Sequence, residues 1–363
     1  MSKRIIYCCD GTWEKATNDT NVYKIYQALP QSADQVTFYD DGVGADGNPI
    51  EMLVGGALGT GLWDKIKQGY KTIAQSYQPG DQLFLLGFSR GAYTARSLAG
   101  MIAICGLPSQ NVTAGNIDDL TNTAFSAYRE QGQRQSLLAS LASFALFDAK
   151  LTMVGVWDTV GSLGIPALFG GVDPAFYGFL DTSLHPDVKN AYHAVAVDEK
   201  RSEFPATLWT GPFQPDQTVQ QVYFSGVHGD VGGGEAAPPG VLLPSDVPLS
   251  WMISKAAALG AYFSVDALAA YPSPIGTSYA TAPLHESWNL LWGIPKRRTI
   301  SADASVGNSV GIRAQGNASY RPTNLSFVNG ALATEYSLVA VAAAAANASA
   351  TNTGAAASAG GAS

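Results

Sequence analysis

The sequence predicts a mainly parallel β-sheet covered by helices on both faces. Three observations lead there. Short apolar runs recur at residues 5–9, 36–39, 83–86, 152–157 and 222–227, each ending in small or acidic residues. The runs are continuous rather than alternating, the pattern of strands buried on both sides. Helical patterns separate several of them, and strands alternating with helices build parallel sheets.

Taken in order, residues 5–9 directly follow Met-Ser-Lys-Arg. That run is too short for a signal-peptide core and has no cleavage site, so it reads as the first strand and the expected location is cytoplasmic. Leu62, Ile66, Tyr70, Ile73 and Tyr77 fall on one helical face. Residues 93–104, rich in alanine and aliphatics, suit a helix packed on a sheet. Residues 107–149 carry apolar positions at helical spacing, among them Leu120, Phe125, Tyr128 and Leu141. Residues 163–184 are aromatic and rich in Gly and Pro. Both stretches are candidates for cap insertions, with ordinary connections as the alternative. If 163–184 caps a site, Leu168, Phe169, Phe176 and Phe179 would offer apolar walls to an acyl chain. Residues 1–335 then form one catalytic domain, and 336–363 a low-complexity tail, of which 340–363 reads as a frayed helix passing into disorder. No stretch reaches the ~18–20 apolar residues of a spanning helix.

Composition narrows the function. With 363 residues, 46% hydrophobic, the chain can bury a large core, which excludes global disorder. A net charge of -8 repels a phosphate backbone, so no nucleic-acid partner is expected. Three cysteines make no disulfide framework. No His/Cys cluster has metal-ligand spacing. The glycine-rich residues 55–61 lack the Lys-Ser/Thr pair of a phosphate loop. No cofactor is expected.

The strongest local signal is Gly87-Phe88-Ser89-Arg90-Gly91, after a buried run and before a helical one. That is the context of a nucleophile elbow: the turn is tight, and glycines remove side chains that would clash beside the serine. The Arg90 N–H, at a helix start, can stabilise an oxyanion. A serine needs a base, and the chain has four histidines: His185, His193, His228 and His285. His185 reads as a solvated loop residue and His193 as a core histidine. His228 follows a strand and opens a glycine-rich loop, the place from which a base reaches an elbow, with His285 its competitor. Asp158 ends an apolar run and is the orienting acid, with Asp198, Asp230 and Glu235 as rivals. Asp230 can instead hold the loop through backbone N–H groups. Ser89, Asp158 and His228 follow the chain order of α/β-hydrolases. The second oxyanion donor is expected from Gly11 or Thr12, after the first strand. Asp10 either caps that turn or binds a cation.

Several longer stretches resemble one known family: Asp10-Gly11-Thr12-Trp13, Tyr39-Asp40-Asp41-Gly42-Val43-Gly44, the serine motif continued to Arg96, Trp157-Asp158-Thr159-Val160-Gly161, Gly226-Val227-His228-Gly229-Asp230 with the three glycines beyond, and Tyr320-Arg321-Pro322-Thr323-Asn324-Leu325. Over roughly residues 3–327 the chain resembles the α/β-hydrolase domain of type VI secretion phospholipase effectors. The resemblance implies an α/β-hydrolase fold and cleavage of membrane phospholipids by a Ser-Asp-His triad, carried here by Ser89, Asp158 and His228. It also implies export without a signal peptide and contact with a membrane surface. The expectation is a serine hydrolase of lipid esters; the alternatives are an esterase on soluble or polymeric esters and a non-catalytic binding protein.

Overall fold

Eight strands pair in one sheet in the order β12-β9-β8-β7-β6-β3-β1-β2, every pairing parallel. Those from the first half of the chain are β1 (Arg4–Cys9), β2 (Gln35–Asp40), β3 (Gln82–Phe88) and β6 (Lys150–Trp157). The rest are β7 (Asn190–Ala196), β8 (Thr218–Phe224), β9 (Ser305–Gly307) and β12 (Ser337–Val339). Two small antiparallel ribbons stand apart: β4 (Leu107–Pro108) with β5 (Leu146–Phe147), and β10 (Phe327–Val328) with β11 (Ala331–Leu332). The computed structural model describes residues 2–11, 19–42, 57–160, 183–235, 241–271 and 276–341.

Successive side chains of a strand point to opposite faces, and the strands are apolar on both. Ile5, Tyr7, Leu83 and Leu85 pack on one face against the helices Ala57–Ser76 and Ser89–Cys105. Ile6, Cys8, Phe84, Leu86 and Phe88 pack on the other against the helices Asn21–Ala28 and Asp246–Ala258. The sequence-predicted helical face over Leu62, Ile66, Tyr70, Ile73 and Tyr77 is buried throughout. This is the expected α/β-hydrolase-like architecture.

The chain runs from β1 outward to β2, then returns to place β3 on the other side of β1. That reversal opens a crevice at the carboxyl ends of β1 and β3, where open parallel sheets bind ligands. Gly11 and Ser89 follow these two strands.

The described structure departs from the sequence reading in two places. The run at 222–227 does not stay extended: β8 ends at Phe224, and Gly226, at φ +112°, gives its N–H to Asp198 and turns the chain into a short helix from His228. The sheet extends past residue 335, because Ser337–Val339 pairs with β9 as an edge strand where a tail was expected. Residues 107–149 add a further layer outside the first helical face, burying Ile117, Leu120, Phe125 and Leu141 in the same core. The other candidate cap, 163–184, lies outside the described residues apart from Ser183 and Leu184, and the tail lies outside them beyond Val341.

Candidate active site

Ser89 sits where β3 gives way to the helix Ser89–Cys105, with φ +57°. A non-glycine residue held there costs of order 1–3 kcal/mol, a strain that persists only where the surroundings impose it. The flanking glycines show what imposes it. A Cβ on Gly87 would lie 2.4 Å from the Gly91 carbonyl oxygen, and one on Gly91 would lie 2.2 Å from that of Cys9. Helix and β1 therefore approach at backbone contact, and the serine side chain is lifted out of the turn.

His228 Nε2 is 2.8 Å from Ser89 Oγ, and its Nδ1 is 2.5 Å from Asp158 Oδ2. A carboxylate on Nδ1 fixes the proton there, leaving Nε2 to accept the serine O–H. All three side chains are buried, Asp158 completely, Ser89 and His228 to more than nine-tenths. They come from the carboxyl ends of β3, β6 and β8, separated in sequence by up to 139 residues.

Burial disfavours the charged imidazole and lowers the His228 pKa, although Asp158 pulls the other way. A neutral His228 at pH 7 can take a proton. Burial would raise the Asp158 carboxyl, but Arg298 and His228 overcome it and hold it well below the usual carboxylate range. Asp158 is also left-handed, at φ +38°, with its N–H on the Ala194 carbonyl and its Oδ1 accepting the Ala196 N–H.

The oxyanion candidates fare unequally. Arg90 is the second residue of the helix, in the turn whose N–H groups point out along the axis. Gly11 is compromised: its N–H donates to Asp10 Oδ1 at 2.7 Å, so the free donor expected there is committed in this structure. Asp10 also accepts from the hydroxyls of Thr20 at 2.6 Å and Tyr39 at 2.7 Å. Three protein donors sit on its carboxylate, which holds the loop. Thr12 lies outside the described residues. Among the described residues no cluster of His, Cys, Asp or Glu could hold a metal ion.

With this geometry in place, comparison with known proteins places the chain. The family described as "T6SS, Phospholipase effector Tle1-like, catalytic domain" matches residues 3–255. The chain belongs to that family. An uncharacterized protein of Saccharomyces cerevisiae, YEL023C, is 28% identical over 236 residues, covering 57% of this chain and 33% of its own. Two solved structures are more distant. An uncharacterized protein from Pseudomonas aeruginosa has a TM-score of 0.43 and 19% identity, over 73% of this chain and 47% of its own. A Tle1 effector bound to the VgrG spike of the type 6 secretion system has a TM-score of 0.37 and 17% identity, over 66% and 52%. The chain thus spans about a third of the yeast relative and about half of each solved chain.

In this Tle1-like chain the rival side chains have other duties. His285 Nδ1 lies 2.5 Å from Asp230 Oδ1, and Asp230 Oδ2 accepts the N–H groups of Val227 and His285. That pair braces the turn bearing His228. Asp198 accepts from Gly226 N–H and the Tyr320 hydroxyl in the same region. Glu235 packs its carboxyl against Gly229. His193 is a core residue whose Nε2 accepts the Thr159 N–H at 3.0 Å, and His185 lies 3.5 Å from Asp187.

Sequence reasoning missed two groups. Arg298 grips Asp158 with both ends of its guanidinium, Nη1 to Oδ1 at 2.5 Å and Nη2 to Oδ2 at 2.9 Å. It also holds the Phe204 carbonyl. Glu199 accepts the His228 N–H at 3.2 Å and pairs with Arg201; burial opposes its ionisation, but Arg201 brings its pKa down to about 2. The basic run Lys296-Arg297-Arg298 was the visible signal for the first, yet nothing local ties it to Asp158. The ring of Phe88, 4.6 Å from the imidazole, and that of Phe204, edge-on at 5.1 Å, complete the walls around His228.

Proposed function

We propose that this chain is a serine hydrolase of lipid esters, with phospholipids as the substrate class that its family membership suggests. The observation that carries the reading is the unbroken line Ser89 Oγ, His228 Nε2/Nδ1, Asp158 Oδ2 on a left-handed serine. Ser89 attacks the acyl carbonyl as His228 takes its proton. Asp158 keeps the imidazole oriented and stabilises its cation. The Arg90 N–H donates to the tetrahedral oxyanion, and Gly11 joins it only if the bond to Asp10 opens. The bond to the leaving alcohol breaks as His228 returns the proton. Water, deprotonated by the same histidine, then releases the fatty acid from Ser89. Export by type VI secretion belongs to the same proposal and rests on the family alone.

Fatty-acid release from phospholipid vesicles tests this. Replacing a triad nucleophile typically costs about 10⁴–10⁶ in kcat, and Ser89→Ala should fall in that range with an unchanged circular dichroism spectrum. A variant keeping a tenth of wild-type activity would remove Ser89 from the mechanism.

A further inference from the structure

A cavity of about 210 Å³ opens beside the helix that begins at Ser89. Three arginines, Arg96, Arg129 and Arg134, line it together with His185, Thr159 and Trp209 among others. Among the described residues, no Asp or Glu contributes to its wall. The whole chain has 29 acidic residues against 21 Lys and Arg, so three arginines gathered on one wall run against its overall balance. Its described members are cationic or neutral.

Arg96 is the decisive member. Its Nη1 donates to the Thr207 carbonyl, and its guanidinium lies over the Trp209 ring, 4.5 Å from the centroid. Burial lowers its pKa to about 10, and among the described residues the groups that oppose this are the phenols of Tyr93 and Tyr128. A guanidinium carries five donors in a planar fork shaped for carboxylate or phosphate. Burying one without a counter-anion is costly, and an arriving anion offsets that cost. The other two arginines are held as furniture: Arg134 on the carbonyls of Ala127 and Tyr128, and Arg129 over Trp63.

Position ties the cavity to the serine. Arg96 follows Ser89 by seven residues, about 10 Å of rise along the helix that Ser89 opens. Thr207, whose carbonyl Arg96 holds, gives its N–H to the carbonyl of Thr159, the residue after Asp158. The anion seat therefore adjoins the loop of the triad acid.

We infer that this cavity seats the phosphodiester of the lipid substrate, with Arg96 as the residue that selects it. The inference rests on the lipid-ester hydrolase reading, and two experiments separate their fates. First, Arg96→Met and Arg96→Lys are compared with wild type on a phospholipid and on the diacylglycerol bearing the same chains, in one detergent. A charge-assisted bond is worth roughly 10–100-fold. The preference for phospholipid should fall by about that factor in Arg96→Met and by less in Arg96→Lys. An unchanged preference, whatever the overall rates, makes Arg96 a packing residue and overturns the inference. Second, calorimetry follows binding of a short-chain ether phospholipid and of inorganic phosphate to Ser89→Ala, with and without Arg96→Met. Phospholipid binding lost with Arg96 upholds the seat even if no ester proves to be cleaved, in which case the hydrolase reading alone falls. Inorganic phosphate binding as tightly as the phospholipid would make the cavity a free-anion site and overturn the headgroup assignment.

Discussion

Replacing Arg298 by Met should damage both stability and catalysis, in a way that tells the two apart. Arg298 makes two charged hydrogen bonds to a carboxylate that is wholly shielded from water. Removing one partner of a buried pair typically costs about 3–5 kcal/mol, because the other charge stays behind unpaired. Among the described residues Asp158 would keep only the Ala196 N–H and the imidazole. At about 2–4 °C per kcal/mol for a larger domain, the melting temperature should drop by roughly 6–20 °C. The pH profile carries the catalytic half. Asp158 Oδ2 accepts from Arg298 and His228 together, so the guanidinium spends negative charge that would otherwise favour imidazolium. Without it the His228 pKa rises, and the acid limb of kcat/KM moves to higher pH by about one unit. Arg298→Lys should recover part of the stability, because a single ammonium cannot match a two-pronged grip. Thermal melts and kcat/KM from pH 4 to 9 on both variants read these effects. Wild-type melting and an unmoved acid limb in Arg298→Met would show that the guanidinium neither stabilises Asp158 nor tunes His228.

His228→Ala should be nearly as damaging as Ser89→Ala, and the double variant no worse than either, since triad members act as a unit. His285→Ala should instead cost stability, about 1–3 kcal/mol for the buried Asp230 Oδ1 that loses the imidazole, with a rate loss of roughly tenfold or less; full inactivation there with His228→Ala active would reverse the assignment of the base. In wild type the acid limb of kcat/KM should lie below the ordinary histidine pKa of about 6.5, because burial lowers His228 and the base works when neutral. His193 is lowered to about 3, chiefly by burial and then by Arg96. Its unfolded form binds a proton that its folded form refuses, so its contribution is full above pH 6.5 and shrinks by about 1.4 kcal/mol per unit on acidification toward pH 3. His193→Gln should flatten the fall of stability between pH 6 and 4, as read by denaturant titration, and an equally steep fall would rule out this source.

What could be read from the chain was what local sterics dictate. Gly87 and Gly91 were legible because any side chain there meets backbone a few residues away or across the β1 crevice. The buried strands were legible from their continuous apolar runs. The order of Ser89, Asp158 and His228 along the chain suggested their meeting, and the parallel topology brings them within hydrogen-bond reach. The partners that crossed the fold were not legible. Arg298 reaches Asp158 over 140 residues, and no periodicity records which of 21 basic side chains will arrive there. The Asp10 bond that occupies the Gly11 N–H was hidden for a different reason: two neighbours that both point at a site can bond to each other instead. The edge strand Ser337–Val339 was masked by composition, since edge pairing needs only backbone groups and tolerates the exposed Leu338.

Covalent labelling by a fluorophosphonate, read by peptide mass spectrometry, tests whether Ser89 is a nucleophile activated by His228. One adduct is expected, on Ser89, formed rapidly in wild type, slowed by roughly 10³ or more in His228→Ala, and absent in Ser89→Ala. No adduct in folded wild-type protein, or an adduct on another residue that persists in Ser89→Ala, would contradict it.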